Sequence, residues 1–169
     1  MVILKDSIEI RVPVDRLYQW LLQLEENFNE WSPYHKGFKK NGEFAIGTKI
    51  QFIEEIDGVT YNVIGKIRKI EKDEKSFSIL LETPGRLAQI NFIGTSSPNG
   101  CIFTHIEKFG KPNTFWGKLV NFLLFDVFNR KKANWNLILN DMKEDNLYLK
   151  NYLETGDYGH IKEDKSPLL

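Results

Sequence analysis

Three side chains have the type and setting to move protons. Glu54 lies where Ile50, Phe52, Glu54 and Ile56 alternate onto one face of a strand, with Gln51, Ile53 and Glu55 on the other. A carboxylate on an apolar face is stripped of water, which raises its pKa towards the range useful to an acid or a base. The plain alternative is an edge position, or a Lys or Arg nearby that keeps it charged. His35 follows Trp31-Ser32-Pro33-Tyr34 in what reads as a loop, where an imidazole can donate, accept or bind metal. Lys36, Lys39 and Lys40 around it argue for exposure. His105 sits in mid-strand with Cys101, Phe103 and Glu107 on its face, a setting equally suited to a structural histidine. Glu54 as general acid/base, assisted by His35 or His105, is the candidate catalytic set. His160, in the tail, reads as inert.

These residues need elements to hold them. Residues 3–10 alternate as a strand that ends at Val12-Pro13. Leu17, Trp20, Leu21 and Leu24 then recur at helical steps, and 27–33 reads as a short helical turn. Strands follow over 48–56, 59–70, 77–82, 87–93 and 101–109, joined at turn signals such as Asp57-Gly58 and Ser97-Pro98-Asn99-Gly100. Helical periodicity resumes beyond Gly110 and runs to about Glu154, a span long enough to break near Asn129–Ala133. The fold class is therefore α+β: one curved antiparallel sheet wrapped around a long C-terminal helix, with two short helices near the N-terminus. Residues 1–154 read as a single domain and 155–169 as a polar tail.

Sheet and helix should enclose a cavity. Trp31, Phe52, Tyr61 and Asn91 are its candidate ligand-binding residues from the first half of the chain. Trp116, Leu119, Leu123 and Trp135 are those from the C-terminal helical region. The segment Phe115–Phe128 is apolar on nearly every side, with Arg130, Lys131 and Lys132 directly after it. It reads as a cavity wall first, and otherwise as a surface for peripheral membrane or partner contact over residues 115–132.

Composition narrows the function classes. The chain has 169 residues, 23 Lys+Arg and 23 Asp+Glu, and a formal net charge of zero, which speaks against nucleic acid as the main partner. A single cysteine excludes an internal disulfide and a cysteine-cluster metal site. No apolar run is long enough to span a bilayer. The first ten residues, MVILKDSIEI, lack a secretory h-region, so a cytoplasmic location is expected. No nucleotide loop, nucleophile elbow or haem motif occurs.

Several local patterns, in order, resemble the START-like helix-grip superfamily, also called the polyketide cyclase/dehydrase or SRPBCC group. They are the opening Ile8–Tyr18, with Val12-Pro13 and Asp15; Trp31-Ser32-Pro33; Gly47-Thr48; Thr104–Gly110; and Leu149-Lys150-Asn151-Tyr152-Leu153-Glu154. The resemblance spans roughly residues 3–154 and implies a deep cavity for apolar or aromatic small molecules. Such cavities serve transport, sensing, cyclisation, dehydration or hydrolysis, so the fold does not fix the function. A zinc-dependent branch, the phloroglucinol-type C–C hydrolases, pairs a loop His and a strand Glu with His-x-x-x-Glu on the last helix. His35 and Glu54 resemble the first pair and Glu144 the last ligand, but Asn140 stands where that branch has histidine. Asn is a poor zinc ligand. No metal and no cofactor are therefore expected, with His35, Glu54 and Glu144 as the lesser metal alternative. The leading expectation is binding of a small hydrophobic molecule, lipid-like or aromatic, by a monomer or homodimer. The alternative is a cyclase/dehydrase- or hydrolase-type enzyme using Glu54 with His35 or His105.

Overall fold

Strand β1 (Val2–Ile10) opens the chain, and Pro13 hands it to α1 (Val14–Leu22) and α2 (Leu24–Trp31). Val14, Leu17, Trp20 and Leu21 form the buried stripe of α1, and Leu24, Phe28 and Trp31 that of α2. Then come β2 (His35–Lys40), β3 (Lys49–Ile56), β4 (Val59–Lys72), β5 (Ser76–Glu82), β6 (Ala88–Ser97) and β7 (Gly100–Phe109). Helix α3 (Phe115–Asn121) continues as a π-helical stretch, Phe122–Phe128, and α4 (Trp135–Thr155) closes the fold. The structure is a computed structural model that describes residues 1–128 and 134–159. The break expected at Asn129–Ala133, the run Arg130-Lys131-Lys132 and His160 lie outside the described residues.

The seven strands form one curled antiparallel sheet in the order β1-β7-β6-β5-β4-β3-β2. Strand β2 corrects the expectation of a loop. A register shift between His35 and Gly37 breaks its alternation, so its buried residues, His35 and Phe38, are three apart rather than two. Helix α4 lies along the inner face. Its stripe Ile138, Met142, Leu149 and Leu153 is buried, and Asp141, Asp145 and Asn146 are buried with it. The Asn146 amide donates to Asp6 Oδ2 at 2.8 Å and Lys150 Nζ to the Glu9 carbonyl at 2.8 Å, fixing α4 on β1. Gly156, at φ 84°, ends the helix in the left-handed conformation that glycine adopts without strain. The tail expected from Thr155 begins differently: Thr155 is the last residue of α4, and Tyr158 is buried and stacked on Tyr152.

The apolar interior has two parts. The larger runs from Ile10 and α1 through Phe52, Phe92 and Phe103 to Leu149 and Leu153. The smaller gathers Leu4, Ile138 and Met142, with Tyr61, Phe109 and Trp135 against them. The cavity lies where the two meet. No helix among the described residues is long and apolar enough to cross a membrane.

Candidate functional site

Strand register assembles the site. β2 pairs with β3 so that His35 stands opposite Glu54, and β3 pairs with β4 so that Glu54 stands opposite Tyr61. β6 and β7 place Phe92 opposite His105 and Ile90 opposite Glu107. Helix α4 brings Asp141 and Asp145, one turn apart on the same face, over the inner side of these strands. The result is a cavity of about 80 Å³, counted as space open to the centre of a water-sized sphere. One water needs roughly 10–15 Å³ by that measure, so the space suits a guest about the size of a single aromatic ring. Most of the lining is apolar, and its polar wall consists chiefly of Glu54, Glu107, Asp141, Asp145, His35 and His105.

His35 is held on three sides. Its ring stacks on Phe28 with centroids 3.9 Å apart and meets the edge of Trp31 at 5.0 Å. Nδ1 lies 3.0 Å from the Phe28 carbonyl, which can only accept, so Nδ1 carries a proton. Nε2 then faces Asp145 Oδ2 at 3.2 Å and Glu54 Oε1 at 3.6 Å. Burial pulls the imidazole towards its neutral form, but the charge and hydrogen bond of Asp145, and then Glu54, outweigh it and raise its pKa. Asp145 and Glu54 thus favour the protonated imidazole at Nε2. Trp31 Nε1 donates to the Asp145 carbonyl at 2.7 Å and fixes the same turn of helix.

Burial pushes the Glu54 carboxyl up to about 8, opposed by His35 and reinforced by Glu107 and Asp145. Its side chain is still 21% exposed, and Glu54 is one of the residues that line the cavity. Burial, with Asp145, Glu54 and Glu107 close by, pushes Asp141 up to about 9. His105 Nε2 is 3.4 Å from Glu107 Oε1, outside hydrogen-bond geometry. Among the described residues, both ring nitrogens of His105 and the Oδ1 atoms of Asp141 and Asp145 are buried without a hydrogen-bond partner. Glu54 and Asp141 thus keep their protons past neutral pH, beside a histidine whose own pKa is raised.

The residues singled out in the sequence separate into two groups. Glu54, His35, His105, Trp31, Phe52 and Tyr61 all line the cavity. The others lie elsewhere. Asn91 is on the outer face of the sheet, where its Oδ1 accepts from Ser78 Oγ at 3.0 Å. Trp116, Leu119 and Leu123 belong to an apolar face turned outward, Trp116 being 72% exposed. Trp135 packs on Phe109 and Phe125 beyond the lining. Glu144 accepts from the Tyr34 hydroxyl at 3.2 Å; Asp145, its neighbour, is the residue that faces His35. No three His, Cys, Asp or Glu side chains among the described residues converge in a geometry that would hold a metal ion. Sequence reasoning missed Asp141 and Asp145, although both fall within the three- and four-residue steps of an otherwise apolar stripe.

No protein-family model matches the chain, and no curated protein matches it in sequence. Solved structures do match in fold. The KanY protein superposes with a TM-score of 0.65 at 10% identity, covering 90% of this chain and 97% of its own. TTHA0849 from Thermus thermophilus gives 0.59 at 12% identity, with 90% and 97% covered. The di-domain ARO/CYC StfQ from the steffimycin biosynthetic pathway gives 0.60 at 12% identity, over 90% of this chain and 50% of that one.

The buried acids give stability a pH dependence of definite sign. Glu54 and Asp141 hold their protons to higher pH when folded than their ordinary values of 4.5 and 3.8. The native state then binds more protons than the unfolded state, so stability falls as pH rises through that window towards about 9. His35, also raised, acts in the same direction, its contribution being lost as pH climbs through its folded pKa. Each extra native-state proton steepens the loss by up to about 1.4 kcal/mol per pH unit. Urea unfolding from pH 5 to 9 should show this decline, and Asp141→Asn should flatten it. Stability that rises over that range would contradict the assignment.

Proposed function

Starting from the helix-grip fold, we propose that the chain binds a small, mainly apolar ligand, about one aromatic ring in size, between β3, β6, β7 and α4. The observation that carries this reading is the cavity itself, a gap of about 80 Å³ between two apolar clusters, lined by rings such as Phe52 and Phe92. Burying the guest contributes roughly 25 cal/mol per Å² of apolar area before ordering costs. The volume favours a ring over a lipid-like chain. The polar wall gives the guest an orientation, as convergent polar groups do in small-molecule sites.

A second reading is supported by Glu54, a carboxyl held near neutrality opposite His35 and open to the cavity. In this reading the protein is a cyclase-, dehydrase- or hydrolase-type enzyme in which Glu54 moves the proton and His35 steadies the charge. The likeness to the ARO/CYC StfQ is in keeping with it. A screen of small aryl β-diketones and β-hydroxyketones for cleavage or dehydration tests it. Turnover lost in Glu54→Gln supports the enzyme, whereas turnover equal in both proteins removes Glu54 from the chemistry.

The chain has two methionines, and Met142 lines the cavity while Met1 is 41% exposed at the N-terminus. In protein labelled at the methionine methyls, phenol and indole should shift the Met142 signal saturably and leave Met1 in place. Ile138→Trp, which fills the cavity from α4, should abolish the shift. No saturable change at Met142 in the original protein would overturn the binding reading.

A further inference from the structure

The polar wall of the cavity has an unusual charge balance. Four carboxyl groups (Glu54, Glu107, Asp141 and Asp145) face two imidazoles, and no Lys or Arg is among the described lining residues. Asp141 and Asp145 are 8% and 4% exposed, and each has a buried Oδ1 atom without a hydrogen-bond partner. A buried acceptor left unmet costs roughly 1–3 kcal/mol. A plain hydrocarbon guest would leave both unmet, and a carboxylate guest would add one more acceptor to a wall that already holds four carboxyl groups. An ammonium group has three donors and no acceptor, the complement of this wall. The walls beside it are aromatic, including Phe28, Trp31, Tyr61 and Phe109, and ring faces attract cations.

We propose that the ligand of this cavity is a small aromatic amine, its ammonium group held by the free Oδ1 atoms of Asp141 and Asp145, with Glu54 and Glu107 on the same wall, and its ring among the aromatic walls. This rests on the ligand-binding reading above and specifies the class of ligand. His35 engages Asp145 Oδ2 at 3.2 Å and leaves Oδ1 without a partner, so a guest can still donate to that oxygen. The titratable groups around Asp141 include Asp145, Glu144 and Tyr148 from its own helix, Glu54 from β3, Tyr61 from β4, Glu107 from β7 and Tyr34. A cation entering among them favours their ionised forms, so binding releases protons.

Calorimetry with benzylamine, benzyl alcohol and benzoate at pH 7.5 tests this. Benzylamine should bind roughly tenfold or more tightly than benzyl alcohol, with benzoate weakest. Its heat should vary with the ionisation enthalpy of the buffer in the sense of proton release. Asp141→Asn should remove roughly tenfold of the benzylamine affinity and change that of benzyl alcohol less than about twofold. Glu107→Gln is a second variant for the same comparison, and thermal unfolding establishes that each is folded. Equal binding of benzylamine and benzyl alcohol would overturn the amine inference and leave the apolar pocket standing. Failure of both to bind would overturn the two together.

Discussion

The site depends on the contact between His35 Nε2 and Asp145 Oδ2, 3.2 Å apart in space and 110 residues apart in sequence. It joins an edge strand to the last helix. The Phe28 carbonyl fixes a proton on Nδ1 and turns Nε2 towards Asp145, which raises the pKa of the imidazole against the pull of burial. Truncating His35 would leave Asp145 Oδ2 buried without its partner, and truncating Asp145 would leave Nε2 only the longer contact to Glu54 at 3.6 Å; breaking such a buried pair costs several kcal/mol. The bond between Trp31 Nε1 and the Asp145 carbonyl secures the same turn of α4. Together they hold that turn of α4 against the wall of the hollow, which Trp31, His35 and Asp145 all line.

That hollow is a consequence of polar placement in an apolar interior. Carboxyls on β3, β7 and α4 point to one space and keep the two clusters of apolar side chains from closing on each other. Glu54 and Asp141 accommodate this by keeping their protons. On the wall of that hollow a carboxyl that keeps its proton stands beside a histidine of raised pKa. At about 80 Å³ the space has room only for compact guests.

Much of this was legible where alternation is unbroken. β3 carries Glu54 between Phe52 and Ile56, and β7 carries His105 and Glu107 after Phe103; in both, large apolar neighbours of the same parity marked the inward side. β2 was not legible, because its lysines and its bulge conceal a strand with only two buried residues. Asn91 was assigned to the wrong face because strand parity alone does not say which side is inside. On α4 the pair Asn140 and Glu144 lies one residue out of step from Asp141 and Asp145. One residue turns an α-helix by about 100°, which is the difference between solvent and cavity. The segment Phe115–Phe128 is apolar all round, so its pattern carried no directional information, and much of it faces outward, with Phe115 78% exposed.

Nitrogen-detected NMR of the His35 ring tests the account most directly. The His35–Asp145 pairing predicts that both ring nitrogens stay protonated at pH values above the ordinary histidine midpoint of 6.5, and that Asp145→Asn brings the midpoint down. A His35 that titrates at or below 6.5 in the unaltered protein, indifferent to Asp145, would contradict the account.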